Sequence, residues 1–295
     1  MHIRHGSLRE AVRGSRYDTG TPRAHLEPLT FLERLHAAAD ANQSWLCVGL
    51  DPLPTQPLDP RFLQGIVEAT RDLVCCYKPN LAFYEAHGLA GQQVLRELLR
   101  AMPRDVPVLI DAKRGDTPHT MRAYAQAIFE DLGADAVTVS PYLGADALSP
   151  FLEYRDRGVF VLCKTSNPGA GEIQDLAVDG EPLFVHVARR ALQWDRHGTV
   201  GLVVGATYPS DVAAVRRIAP AVPILLPGVG AQEGDLSAAV RAGVDANGQR
   251  VIVNASRTIA YASTGSDWQA AARAEAQRLQ LAINSARVEA LVAPR

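Results

Sequence analysis

The residue types best suited to chemistry fall in one short run, Asp111-Ala112-Lys113-Arg114-Gly115-Asp116. It follows Val108-Leu109-Ile110, an apolar, largely β-branched stretch behind Pro107 that reads as a buried parallel strand. Asp111 and Lys113 then stand at the C-terminal end of that strand. Alternate residues of a strand point the same way, so carboxylate and ammonium are expected side by side. Such charges are costly beside a core unless they pair or do chemistry. Lys78, ending the preceding strand, and Asp116 extend the set to a row Lys78-Asp111-Lys113-Asp116, alternating in sign. An ammonium between carboxylates keeps its proton, because nearby negative charge favours the charged form. It can stabilise a developing carbanion and then protonate it. The same row also reads as a structural ion-pair cluster.

A second group suits an anion. Pro227-Gly228-Val229-Gly230 follows an apolar run over 224–226, and its glycines let backbone N–H groups approach a phosphate closely. Ser256-Arg257 follows the next apolar run, and an arginine fork clamps a phosphate in bidentate fashion. Each alone is also a tight turn or a surface residue; on adjacent loops they point to one phosphate site. His119, after Pro118 at a helix start, lies near this group and invites an acid–base role, but is not expected to be catalytic. His36, His87, His186 and His197 show no metal-ligand spacing. Trp45 and Trp194 read as core or interface.

These residues need a scaffold that gathers them. Strand-like runs occur over 45–50, 75–77, 108–110, 136–139, 159–163, 200–204, 224–226 and 250–253, nearly all separated by helical stretches. Strict β–α alternation implies a parallel sheet, and eight such units in roughly 265 residues fit a (β/α)8 TIM barrel. A doubly wound sheet is the alternative, weakened because no GxGxxG opens a helix. In a barrel, chemistry sits at the C-terminal strand ends. Asp51, Lys78, Asp111, Lys113, Ser166, Gln232 and Arg257 all follow strands and would face one mouth. Thr30 and Glu33 have capping-box spacing for a first helix. The stretch 169–180 reads as a long irregular loop of the functional kind.

Residues 1–28 differ in character. They carry Arg4, Arg9, Arg13, Arg16 and Arg23 with little apolar periodicity, but Glu10, Asp18 and Glu27 argue against a transit peptide. They are expected to be a floppy arm or the product of a misassigned start, with one barrel domain over 29–295. The chain of 295 residues has 30 basic and 32 acidic side chains and 47% hydrophobic residues, an ordinary soluble balance. A formal charge of −2 gives no reason to expect nucleic acid or a membrane as partner. Cys47, Cys75, Cys76 and Cys163 lie in apolar runs without CxxC spacing, as reduced core thiols of a cytoplasmic protein do.

The motifs together resemble the orotidine 5′-phosphate decarboxylase family, in the branch with Lys-Pro-Asn after the second strand. The matching pieces are Gly49-Leu50-Asp51-Pro52, Lys78-Pro79-Asn80, Asp111-Ala112-Lys113-Arg114-Gly115-Asp116-Thr117, Lys164-Thr165-Ser166-Asn167-Pro168-Gly169 and Pro227-Gly228-Val229-Gly230-Ala231-Gln232. DxKxxD alone is shared with related sugar-phosphate barrels, whereas the five pieces in this order are specific. The resemblance implies conversion of orotidine 5′-monophosphate to UMP and CO₂, without metal or organic cofactor. It implies that Lys113 protonates C6 of the pyrimidine and that Asp111 sits against the substrate carboxylate. Lys78 would brace Asp111 and bind ribose, which Asp51 would also contact. Ser166 would bond the pyrimidine, and Gly230, Gln232 and Arg257 would take the phosphate. Asp116 and Thr120 would reach the neighbouring subunit's site, making the active unit a homodimer. Many relatives have Gly-Arg where this chain has Ser256-Arg257.

Two other readings compete. A sugar-phosphate lyase or aldolase on the same barrel would commonly need Mg²⁺ and a carboxylate where Lys78 stands. A catalytically silent nucleotide-binding protein would bind UMP and release no CO₂.

Overall fold

A computed structural model describes residues 29–56, 58–228 and 233–292. The expected N-terminal arm, Gly230 and Gln232 lie outside the described residues. Eight parallel strands form the sheet: β1 (Leu46–Gly49), β2 (Cys76–Lys78), β3 (Leu109–Arg114), β4 (Ala136–Val139), β5 (Gly158–Lys164), β6 (Val200–Val204), β7 (Ile224–Leu226) and β8 (Val251–Ala255). Neighbours run β2-β1-β8-β7-β6-β5-β4-β3. The circle closes between β2 and β3 through parallel bridges Tyr77–Val108 and Asn80–Asp111. Tyr77 N donates to Pro107 O at 3.0 Å and Asp111 N to Pro79 O at 2.9 Å. The expected (β/α)8 TIM barrel is the observed one. Apart from the mouth end of β3, the strands are almost wholly buried, which is why they read as continuous apolar runs.

The floor and wall follow from local chemistry. Thr30 and Glu33 form the expected capping box at the helix Phe31–Ala41. Phe31 plugs the N-terminal end of the barrel, edge-on to Phe160 at 5.7 Å between ring centres. The long helix Trp268–Val292 lies against the helix Pro60–Thr70. Their approach is so close that a Cβ at Gly65 would fall 2.3 Å from the Trp268 ring. All four cysteines are buried and free. Trp45 is core, and Trp194 is partly buried against it.

The structure corrects the sequence reading at one stretch and adds detail at two others. The stretch expected to be irregular over 169–180 is largely folded, with a 3-10 turn Pro168–Ala170 and a short helix Gly171–Gln174. After them Ala177–Val178 pairs with Glu181–Pro182 as a hairpin. Asp179 and Gly180 make its turn with φ of 51° and 82°. An Asp-Gly pair is the sequence that such a two-residue turn favours. A short helix, Leu81–Glu85, comes directly after β2, capped by the Asn80 side chain on Ala82 N at 3.1 Å. The helix after β3 begins at Pro118 and turns into a π segment over Gln126–Asp131.

Candidate active site

The barrel mouth is built from the residues at and just beyond the C-terminal end of each strand. At its centre Asp111 is 8% exposed and Lys78 3% exposed. Lys78 Nζ donates to Asp111 Oδ2 at 3.1 Å, and Lys113 Nζ donates to Asp111 Oδ1 at 2.6 Å. The two ammonium groups thus grip opposite oxygens of one carboxylate. Burial disfavours the charged Lys78, but Asp111 and then Asp51 outweigh it and hold the ammonium up at about 12. Burial likewise disfavours the Asp111 anion, and Lys78 and Lys113 overcome it, holding the carboxyl down at about 2. The site therefore maintains a dense array of fixed charges.

Asp111 and Lys113 meet as expected, but not on a regular pleat. Ile110 pairs with Val137, and the next paired residue of β3, Arg114, lies opposite Val139. Four steps on β3 therefore span two on β4, a bulge of the kind that re-aims side chains beside sites. Lys113 sits in it with φ of 47°, a left-handed backbone that costs a non-glycine residue about 1 kcal/mol or more. The Lys113 amide donates to Thr138 Oγ1 at 2.9 Å. The Thr138 hydroxyl in turn donates to Asp111 Oδ1 at 2.8 Å. Sequence reasoning missed Thr138, since a threonine in a strand is ordinary.

Asp51 follows β1 and is 7% exposed. Its Oδ1 accepts from Asn80 N at 3.0 Å and its Oδ2 from Ser256 Oγ at 2.6 Å. Ser166 follows β5 and is hemmed in by glycines. A Cβ at Gly205 would lie 2.8 Å from Ser166 N, and one at Gly228 would lie 3.0 Å from Ser166 Oγ. Gly228 has φ of 87°, so it also needs the freedom of glycine. Arg257 is exposed at the start of the short helix Arg257–Ala260 after β8. Lys164, which ends β5, is buried and paired with Asp175. Gln174 bonds both Thr165 N and Thr165 Oγ1 at 2.8 Å.

Asp116 and Thr120 lie half-buried beyond β3, and His119 is exposed. The hydrogen bond described for Asp116 comes from Thr117 N at 2.7 Å. Within the chain, then, the structure joins Lys78, Asp111 and Lys113, and no described ion pair brings Asp116 to them. Among the described residues no group of three His, Cys, Asp or Glu side chains could hold a metal ion. None of the described helices is long and apolar enough to cross a membrane.

Residues 44–274 match the model of the orotidine 5′-phosphate decarboxylase / HUMPS family. Orotidine 5′-phosphate decarboxylase of Roseiflexus castenholzii is 53% identical over 269 residues, covering 88% of this chain and 98% of that one. The protein of the same name from Thermomicrobium roseum is 52% identical over 273 residues, covering 88% of this chain and 97% of that one. Among solved structures, Leishmania donovani OMP decarboxylase superposes with a TM-score of 0.79 at 41% identity, covering 88% of this chain and 99% of that chain. The chain belongs to the orotidine 5′-phosphate decarboxylase / HUMPS family, on its decarboxylase side.

Proposed function

We propose that this chain decarboxylates orotidine 5′-monophosphate to UMP, the last step of UMP synthesis, with Lys113 as the proton donor. The observation that carries the reading is the Asp111 carboxylate held between the Lys78 and Lys113 ammonium groups at 3.1 and 2.6 Å. In the reaction the bond from C6 to the carboxylate breaks, CO₂ leaves, and the electron pair stays on C6. That pair lies in the ring plane and cannot delocalise, so a cation beside it is the direct remedy. Lys113 Nζ then passes a proton to C6 and regains one from water. Asp111 lies against the substrate carboxylate and Lys78 braces Asp111. Repulsion between Asp111 and that carboxylate is a smaller, ground-state contribution. Asp111 has both oxygens committed to ammonium groups, and Lys78 stands where a metal-dependent lyase would want a carboxylate.

Asp51 and Lys78 face the ribose and Ser166 the pyrimidine. Arg257 takes the phosphate with Gly230 and Gln232. Phosphate binding, far from C6, supplies energy for closing loops and shutting out water. Asp116 and Thr120 complete the site of a second copy. A homodimer is supported by an apolar groove of about 570 Å³ beside the mouth, lined by Tyr142, Ile173, Val178 and Phe184 among others. Tyr142 is 86% and Ile173 57% exposed in the single chain. The four buried free thiols suit the cytoplasm. The test is the fall in ultraviolet absorbance when purified protein and excess chelator meet orotidine 5′-monophosphate. Steady conversion is expected; UMP binding without CO₂ release, or activity lost to chelator, would overturn the reading.

A further inference from the structure

We infer that Thr138 is a positioning residue for the reaction, its hydroxyl locking Asp111 and Lys113 into the geometry that presents the ammonium. Thr138 lies on β4, 1% exposed, between Val137 and Val139. On packing grounds a valine would serve there, so the hydroxyl needs a reason. A buried hydroxyl is costly unless bonded, and this one is bonded twice to the reacting pair. It has a single hydrogen, spent on Asp111 Oδ1 at 2.8 Å. Its lone pair accepts the Lys113 amide at 2.9 Å.

Each bond fixes a different coordinate. The amide contact holds the Lys113 backbone in its left-handed conformation inside the bulge, where the β4 ladder offers no regular partner. The contact to Asp111 adds a second donor to Oδ1, the oxygen that Lys113 holds, while Lys78 holds Oδ2. Turning Asp111 away from Lys113 would break the Thr138 bond as well. One side chain from the neighbouring strand thereby fixes both ends of the Asp111–Lys113 pair, while touching no atom of the substrate in the proposed reaction.

This inference rests on Lys113 being the acid, and the experiment separates the two claims. Thr138→Val removes the hydroxyl at nearly constant volume; Thr138→Ser keeps it. A hydrogen bond to a charged group supports a loss of roughly tenfold to hundredfold in kcat for Thr138→Val. KM for orotidine 5′-monophosphate and the affinity for UMP are expected to stay within about twofold. Thr138→Ser is expected to keep most of the wild-type kcat. Thr138→Ala is the second hydroxyl-free variant, expected to show the same kcat loss should Thr138→Val not fold. Near-wild-type kcat in either hydroxyl-free variant, an equal loss in Thr138→Ser, or failure of both hydroxyl-free variants to fold would overturn the inference. If Lys113→Ala retains turnover, the underlying reading fails instead.

Discussion

Ser256 Oγ donates to Asp51 Oδ2 at 2.6 Å, tying the end of β8 to the end of β1. The serine hydroxyl is thus used on a carboxylate. A Cβ at Gly49 would fall 2.6 Å from Ser256 Cβ, so the two strand ends touch. Asp51, proposed above to contact the ribose, is thereby held by a residue beside Arg257. Ser256→Ala is expected to raise KM for orotidine 5′-monophosphate by roughly threefold to tenfold with little change in kcat. Steady-state kinetics check this; an unchanged KM would show that Asp51 needs no such hold.

The charges at the mouth also bear on folding. Asp111 is held down at about 2, with Lys78 and Lys113 outweighing the cost of burial. A depressed carboxyl contributes stability that is present above its unfolded value of about 4 and is lost as pH falls through its folded value. Lys78 has the opposite sign: held up at about 12, it contributes below about pH 10 and loses that contribution as pH rises through 12. The stability difference between wild type and Asp111→Asn should therefore shrink on acidification from about pH 4 to about pH 2. Urea unfolding midpoints measure it, and a difference that stays constant through that window would contradict the assignment.

Much of this was legible in the sequence because parallel strands are short apolar runs and the polar residues after them stand out. Asp51, Lys78, Asp111, Lys113, Ser166 and Arg257 all lie at or after the ends of barrel strands, as the alternation implies. The illegible part depends on contacts between strands distant in sequence. Thr138 reaches Asp111 across β3 and β4, and Ser256 reaches Asp51 across β8 and β1. The left-handed Lys113 was hidden as well, since a period of two describes a strand without bulges. The hairpin at Asp179-Gly180 was the exception: its turn pair was in plain view, and its strands are merely too short to show alternation.

Lys164 and Asp175 pair across the loop that carries Ser166, with Asp211 3.9 Å from the same ammonium. Lys164 is 2% exposed, whereas the Asp175 side chain is 49% exposed. Asp175 thus holds the helix Gly171–Gln174 down onto β5, with the Gln174–Thr165 bonds beside it. Asp175→Ala is expected to loosen this segment without unfolding the barrel. Limited proteolysis should then cut within 168–182 faster than in wild type. An unchanged cleavage rate there would mean that Gln174 suffices.

Asp116 joins no described ion pair in its own chain, which fits a role in a second copy's site. Lys113→Ala and Asp116→Ala, each inactive alone, are expected to recover activity when unfolded and refolded together. Random pairing leaves one intact site in each mixed dimer, about a quarter of all sites in a two-fold assembly. No recovery in a mixture whose two variants, carrying different affinity tags, are shown by tandem purification to form mixed dimers would place Asp116 in its own subunit's site.

The central claim is that the Lys113 ammonium, 2.6 Å from Asp111, supplies the proton to C6. Lys113→Ala tests it most directly, assayed for conversion of orotidine 5′-monophosphate alongside calorimetric titration with UMP. The account predicts turnover reduced by a factor of about 10³ or more, with UMP still bound. Turnover near wild type in a folded, UMP-binding Lys113→Ala protein would contradict it.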